Sequence, residues 1–432
     1  MQIFEKLRRI WSDLDTPFII TDKKKIYFND LLKIESSHLN NIKKGDVVLL
    51  LGDFEAVTLY NFFKLIEIGA IVAPITKETE EQHEFFSSTI NANKIIKGFE
   101  VSQSQSNQRE NHLLEKFKKK GHPGIIFFSS GTTGQPKAIL HDVNLLFKRF
   151  DTPRKPYKTI NFLMFDHMGG INTLLHTIFN GGTIIGLKSR KISDVLETCK
   201  KYDVEILPTT PTFLRMMLAG GFIPKKIPSS IKIISYGTEQ MDESTLVEIS
   251  KLIPKVDLRQ TYGLSEFSVL RVKSKNRSSL FFKVSGEGLK TKIKNNMLHL
   301  KSKYAMVGYL NDKNPFDADG WYNTKDVVEE EGDFIKIIGR KSNVINVAGF
   351  KFMASDVEKI ALENSKILNV KAYAKSNPIT GQHVEMIIEL KDNMEATSLE
   401  IKNYFRDTLP KYMSPQKIFF DKVPVSHRYK KI

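Results

Sequence analysis

The sequence predicts an α/β protein. A large N-terminal domain of layered, mostly parallel sheets with helices and a small β-barrel-like part is followed by a small α+β C-terminal domain. Three observations carry this. Through the first half, short apolar runs alternate with stretches of helical period, the pattern of a largely parallel sheet covered on both faces. From about residue 284 the pattern changes to short β-like pieces joined by turns: LKTKIKNNMLHLKS, FDADGWYNT and DFIKIIGR. The last ninety or so residues return to mixed helix and strand. The boundary is placed near 340–343, which divides the chain into 1–340 and 341–432.

The elements follow in order. Residues 46–51 (DVVLLL) read as a buried strand, 56–68 as a helix and 70–75 (AIVAPI) as a second strand. The segment 101–111, VSQSQSNQREN, is short of apolar residues and reads as a surface loop. Residues 125–128 form a strand and 145–149 a helix, and 182–187, 204–207 and 231–235 form further strands with helices between them. Beyond the boundary, 355–364 reads as a helix opened by a capping Ser355 with Glu358 three residues later. Residues 370–374 and 384–390 read as strands and 399–409 as a helix.

Composition narrows the function classes. A chain of 432 residues suggests two or three structural units, and a hydrophobic content of 41% is ordinary for a globular protein. The single cysteine, Cys199, rules out an intrachain disulfide framework and a cysteine metal cluster. The start, MQIFEKLRRIWSDLD, lacks the apolar core and cleavage site of a secretory signal. No apolar run reaches the ~18 residues of a bilayer-spanning helix, so a cytoplasmic protein with no transmembrane segment is expected. The net charge of +16 favours anionic partners. The lysines are scattered, and no zinc-finger, RNA-recognition or basic-zipper signature appears, so no nucleic acid is expected.

The stretch FFSSGTTGQPKAIL, residues 127–140, carries the chemistry. A strand runs into small and hydroxylated residues whose backbone N–H groups form an anion nest. Ser129, Ser130, Thr132 and Thr133 add hydroxyls, Gly131 and Gly134 allow close approach, and Lys137 adds a point charge. That set suits a polyphosphate. It is not the G-x-x-x-x-G-K-[ST] loop, because Pro136 stands where that loop needs glycine.

This stretch resembles the phosphate loop of the adenylate-forming superfamily: acyl-CoA synthetases, amino-acid adenylation domains and luciferases. Further motifs follow in the family's order, so the likeness covers nearly the whole chain. QTYGLSE (260–266) is similar to the family's Tyr-Gly-x-Thr-Glu. There the resemblance implies Tyr262 against the base, Ser265 at a phosphate and Glu266 on Mg²⁺, a hard cation suited to oxygen. SYGTE (235–239) falls where the family lines adenine, which implicates Gly237, Thr238 and Glu239. DGWYNTKD (319–326) resembles Asp-Gly-Trp-x-x-Thr-Gly-Asp, with Asp326 on the ribose hydroxyls and Lys325 in place of glycine. GRKSNVINVAGFK (339–351) resembles the arginine-and-hinge segment, with Arg340 as a second ribose contact and Ser342 at the hinge. VPVSHRYKKI (423–432) resembles Pro-x-Thr-x-x-Gly-Lys. Spacing from Pro424 places the catalytic lysine at Lys430, with Lys431 as the other register. MFDHMGG (164–170) matches Phe-His-x-x-Gly at His167 and Gly170 and also fits the Phe-Asp pair of amino-acid activators at Asp166.

The resemblance implies ATP-dependent activation of a carboxylic acid to an acyl-adenylate, release of pyrophosphate, and transfer to a thiol, either CoA or an acidic carrier protein. Lys430, Glu266 and His167 are the implied catalytic groups, and the C-terminal domain is implied to be mobile about Ser342. Asp166, Gly170, Phe213 and Phe267 are expected to shape an apolar acyl pocket. Two alternatives stay open: an amino-acid activator loading a carrier protein, supported by Asp166, and a non-catalytic nucleotide-binding protein on the same scaffold.

Overall fold

The computed structural model describes residues 2–22, 24–104, 110–129, 135–426 and 431. Among them are three seven-stranded sheets and one five-stranded sheet. The first sheet runs, edge to edge, Asp257–Gln260, Ile233–Tyr236, Ile206–Thr209, Thr159–Ile160, Ile184–Ile185, Ile19–Ile20, Lys25–Ile26, and is parallel except for the last pair. The second has a parallel centre of Gly124–Ser129, Ile71–Ile75, Val47–Leu51 and Lys94–Lys97. Its flanks are antiparallel: Lys137–Asp142 and Gly308–Tyr309 on one side, Glu100–Gln103 on the other.

Burial explains why the central strands read as unbroken apolar runs. Val48 and Leu50 join the core cluster containing Phe62, Phe63 and Leu175, while Val47 and Leu49 join the cluster containing Phe86 and Ile90 on the opposite face. A two-residue period with both faces covered leaves no position for a polar side chain. The third sheet is antiparallel and holds the strands from Tyr262–Leu264 to Phe334–Arg340 other than Gly308–Tyr309, the part expected to be barrel-like. The fourth contains Val344–Val347, Phe350–Met353, Ile367–Asn377, Gly381–Leu390 and Lys417–Phe420, under helices Ala354–Leu362 and Ser398–Thr408. Its core cluster begins at Ile345 and ends at Met413.

Two local expectations need correction, and one strand carries no sequence expectation. Residues 100–103 form an edge strand paired with Lys94–Lys97, although 101–111 reads as a loop; edge pairing uses only backbone groups, so polar side chains do not prevent it. Residues 105–109 of that segment lie outside the described residues. Between the phosphate-loop motif and the helix expected over 145–149, found as Val143–Phe147, the strand Lys137–Asp142 returns antiparallel to Gly124–Ser129, with Ser129 opposite Lys137. The helix expected over 355–364 is Ala354–Leu362, and its first turn is closed by the Asp356 carboxylate accepting from the Met353 N–H at 2.9 Å. Ser355 instead donates to the Ile338 carbonyl (2.9 Å), and Glu358 accepts from the Ala372 N–H (2.9 Å). Both side chains are drawn away by long-range partners.

No helix among the described residues is long and apolar enough to cross a membrane. Cys199 is buried, and burial pushes its thiol up to about 12, so it remains an unreactive packing residue.

Candidate active site

A cavity of about 670 Å³ opens where the parallel strands Ile233–Tyr236 and Asp257–Gln260 end, facing the antiparallel sheet and the helix Ala354–Leu362. Carboxyl ends of parallel strands are where open α/β sheets bind ligands. Gly237, Thr238, Glu239, Tyr262, Asp326, Arg340 and Ser342 all line it. Every residue expected at adenine, ribose and hinge is therefore brought to one wall-lined space, from segments more than a hundred residues apart in sequence.

Backbone geometry sets this lining. Gly237 passes so close to Thr261 that an added Cβ would lie 2.1 Å from Thr261 Oγ1 and 2.6 Å from its carbonyl oxygen, so only glycine fits. Thr238 has a left-handed φ of 73°, which turns the chain out of the strand and over the cavity. The Glu239 carboxylate caps the helix Pro211–Ala219: Oε1 accepts the Thr212 N–H at 2.7 Å, and Oε2 accepts the Lys431 N–H at 3.3 Å. Lys325, where the family motif has glycine, takes φ 62°, the conformation that glycine adopts without strain.

Tyr262, Asp326 and Arg340 form one polar unit in the cavity wall. Tyr262 donates its hydroxyl to Asp326 Oδ2 at 2.6 Å, and Arg340 Nε donates to Asp326 Oδ1 at 3.2 Å. Asp326 is buried, and burial raises its carboxyl above the ordinary value against the opposing pull of Arg340 and Tyr262. Burial would lower the Arg340 guanidinium, but Asp326 and then Tyr262 outweigh it. Tyr262 is held well above its usual range by burial and then by Asp326, so its hydroxyl stays a donor.

A second group lies along the strand that leaves the phosphate-loop motif. Lys137 pairs with Asp312 Oδ2 at 2.5 Å and sits 4.9 Å from the centre of the Tyr309 ring. Tyr309 donates its hydroxyl to Glu266 Oε1 at 2.6 Å. The Ser265 carbonyl accepts from His141 Nε2 at 2.7 Å. Ser130, Gly131, Thr132, Thr133, Gly134 and Lys430 lie outside the described residues. No group of three or more His, Cys, Asp or Glu among the described residues could hold a metal unaided. One carboxylate, Glu266, bonded to the Tyr309 whose ring faces Lys137, still fits Mg²⁺, which keeps most of its shell for water and substrate phosphates.

The expected acyl residues are not brought to the cavity. Phe213 is fully buried against Phe162, ring centres 4.5 Å apart, and Phe267 packs on Tyr322 at 5.3 Å. Both are core side chains, because an apolar aromatic gains more from dry packing than from a polar cleft. Gly170 is glycine for a packing reason: a Cβ there would lie 1.9 Å from the Met164 carbonyl oxygen. His167 caps the helix Met168–Ile178, its Nδ1 accepting the Gly169 N–H at 3.0 Å, and Asp166 is buried beside it.

Several residues at the cavity carry no sequence signal. Gln240 donates to the carbonyls of Ile337 (3.1 Å) and Ile338 (3.0 Å), tying the cavity floor to the antiparallel sheet. Arg215 pairs with Asp242 at 2.8 Å, both largely buried. Each contact joins distant segments, so no local motif announces it. Of the two lysine registers, Lys431 is engaged: its ammonium donates to Glu358 Oε2 (2.6 Å) and to the Val370 carbonyl (3.0 Å).

The cavity and the motifs around it define a nucleotide-handling α/β scaffold. The sequence model of the family described as AMP-binding enzyme matches residues 36–280, more than half of the chain. The chain belongs to this family. Among curated proteins it is 23% identical over 348 residues to 4-coumarate–CoA ligase 3 of Oryza sativa, covering 70% of this chain and 62% of that one. It is 23% identical over 447 residues to 4-coumarate–CoA ligase-like 6 of Arabidopsis thaliana, covering 88% and 79%. The match thus spans less than two thirds of the rice relative's length. Among solved structures, an anthranilate CoA ligase in complex with anthranoyl-AMP superposes with a TM-score of 0.79 at 17% identity, over 99% of this chain and 95% of that one. ATP-bound MatB from Rhodopseudomonas palustris superposes with a TM-score of 0.79 at 16% identity, over 99% and 96%. These likenesses establish the fold.

Proposed function

We propose that this protein is an AMP-forming acid–thiol ligase. It activates a carboxylic acid with ATP, releases pyrophosphate, and passes the acyl group from the adenylate to a thiol. The observation that carries the reading is the convergence of Gly237, Thr238, Glu239, Tyr262, Asp326 and Arg340 on one cavity. The names of the relatives favour CoA as the thiol; an acidic carrier protein is the other acceptor consistent with the basic chain.

The carboxylate and the triphosphate repel each other, so the site must neutralise charge and hold the attacking oxygen in line with the α-phosphorus. In this reading, residues 129–134 and Lys137 hold the β- and γ-phosphates, and Asp326 and Arg340 hold the ribose. Glu266 holds Mg²⁺, which when bound neutralises phosphate charge. Lys430 meets the charge that develops at the α-phosphate, a contribution on the order of 10² to 10³ in rate. The chain divides into 1–340 and 341–432, and the second part turns about Ser342 to admit the thiol.

Pyrophosphate exchange into ATP, measured over fatty, aryl and amino acids, tests the proposal. Exchange is expected with at least one fatty or aryl acid and is expected to be lost in Lys430→Ala. Absence of exchange with every acid would overturn it.

A further inference from the structure

We infer that Tyr309 is a positioning residue that holds the metal-binding carboxylate and the phosphate-binding lysine in fixed relation. This rests on the roles given above to Glu266 and Lys137. Tyr309 belongs to none of the sequence motifs, yet it touches both groups: its hydroxyl donates to Glu266 Oε1 at 2.6 Å, and Lys137 Nζ lies 4.9 Å from its ring centre.

The surroundings leave Tyr309 little freedom. It is 7% exposed, and the short strand Gly308–Tyr309 pairs with Lys137–Asp142, placing Tyr309 opposite Ile139. Asn311 then grips both sides of Lys137: Oδ1 accepts the Ala138 N–H and Nδ2 donates to the Pro136 carbonyl, each at 2.8 Å. Asp312 completes the clamp on the ammonium at 2.5 Å.

The turn bearing Glu266 is pinned from its backbone. The Ser265 carbonyl accepts from His141 Nε2 (2.7 Å), the Glu266 carbonyl from the Met306 N–H (2.7 Å), and the Phe267 carbonyl from Arg149 Nη1 (3.1 Å). Burial holds His141 down to about 4, so it serves as a neutral N–H donor. With the main chain fixed, the carboxylate direction depends on the side chain's own contacts, and the Tyr309 hydroxyl supplies a short one. Donors behind a metal-binding carboxylate orient it, and their loss commonly costs about 10- to 100-fold in metal affinity.

The test compares wild type, Tyr309→Phe, Glu266→Gln and the double variant with a nonhydrolysable ATP analogue, reading the rise in melting temperature as Mg²⁺ is titrated. Tyr309→Phe keeps the packed ring and the lysine contact and removes only the hydroxyl. A Mg²⁺ midpoint raised about 10- to 100-fold is expected, with the metal-free nucleotide shift unchanged and the double variant no worse than Glu266→Gln alone. A wild-type midpoint in Tyr309→Phe beside a raised one in Glu266→Gln overturns the inference about Tyr309. Wild-type midpoints in both overturn the assignment of Glu266, and this inference with it.

Discussion

The expected ribose side of the cavity and the expected acyl side are built on opposite principles. On the ribose side, Tyr262, Asp326 and Arg340 converge through hydrogen bonds of 2.6 and 3.2 Å and all face the cavity. On the acyl side, Phe213 and Phe267 sit in two separate cores, and Gly170 packs within the first turn of a helix. The difference teaches which sequence signals carry to a site. A buried carboxylate must have partners, so its motif implies its neighbours. A phenylalanine packs wherever apolar surface is available, so its position in sequence implies burial and nothing more.

The largest expected effect would break the comparison on the acyl side. Phe213→Ala removes a fully buried ring and is expected to lower stability by about 3–5 kcal/mol, measured by denaturant unfolding. A stable variant with altered acid preference would instead make Phe213 a pocket wall. On the ribose side, Asp326→Ala deletes the acceptor shared by Tyr262 and Arg340. Hydrogen bonds to a charged group are worth about 1.5–3 kcal/mol, so kcat/KM for ATP is expected to fall roughly 10- to 100-fold in pyrophosphate exchange. An unchanged value would remove Asp326 from the nucleotide site.

The smallest effect sharpens the same wall. Lys325 holds φ 62°, a left-handed conformation that costs a side-chain-bearing residue roughly 1–2 kcal/mol. Lys325→Gly relieves that strain, while the greater freedom of glycine in the unfolded chain offsets about half of it. A melting temperature higher by a degree or two is the expected result, by calorimetry. A lower melting temperature would mean that the lysine side chain contributes more than its backbone costs.

Much of the fold was legible. The strand Val47–Leu51, the helix Ala56–Ile68 and the strand Ile71–Ile75 stand within a residue of where their apolar periods place them. The edge strand Glu100–Gln103 and the returning strand Lys137–Asp142 were not legible, since one is polar and the other follows a loop motif that draws attention to itself. Ser355 and Glu358 have the spacing of a capping pair, yet the Ile338 carbonyl and the Ala372 N–H claim them. Local pattern proposes partners within a few residues; packing supplies competitors from anywhere in the chain.

The amino-acid sequence alone therefore determined the layered α/β class, the order of its motifs, and the polar residues that line the cavity, because periodic burial and charged side chains leave local marks. Tertiary structure alone decided that Tyr309 joins Lys137 to Glu266, that Lys431 rests on Glu358, and that the two phenylalanines belong to the core. The reason is physical: a hydrogen bond or an apolar contact depends on proximity in space, and the folded sheets bring together residues that the linear chain keeps more than forty positions apart.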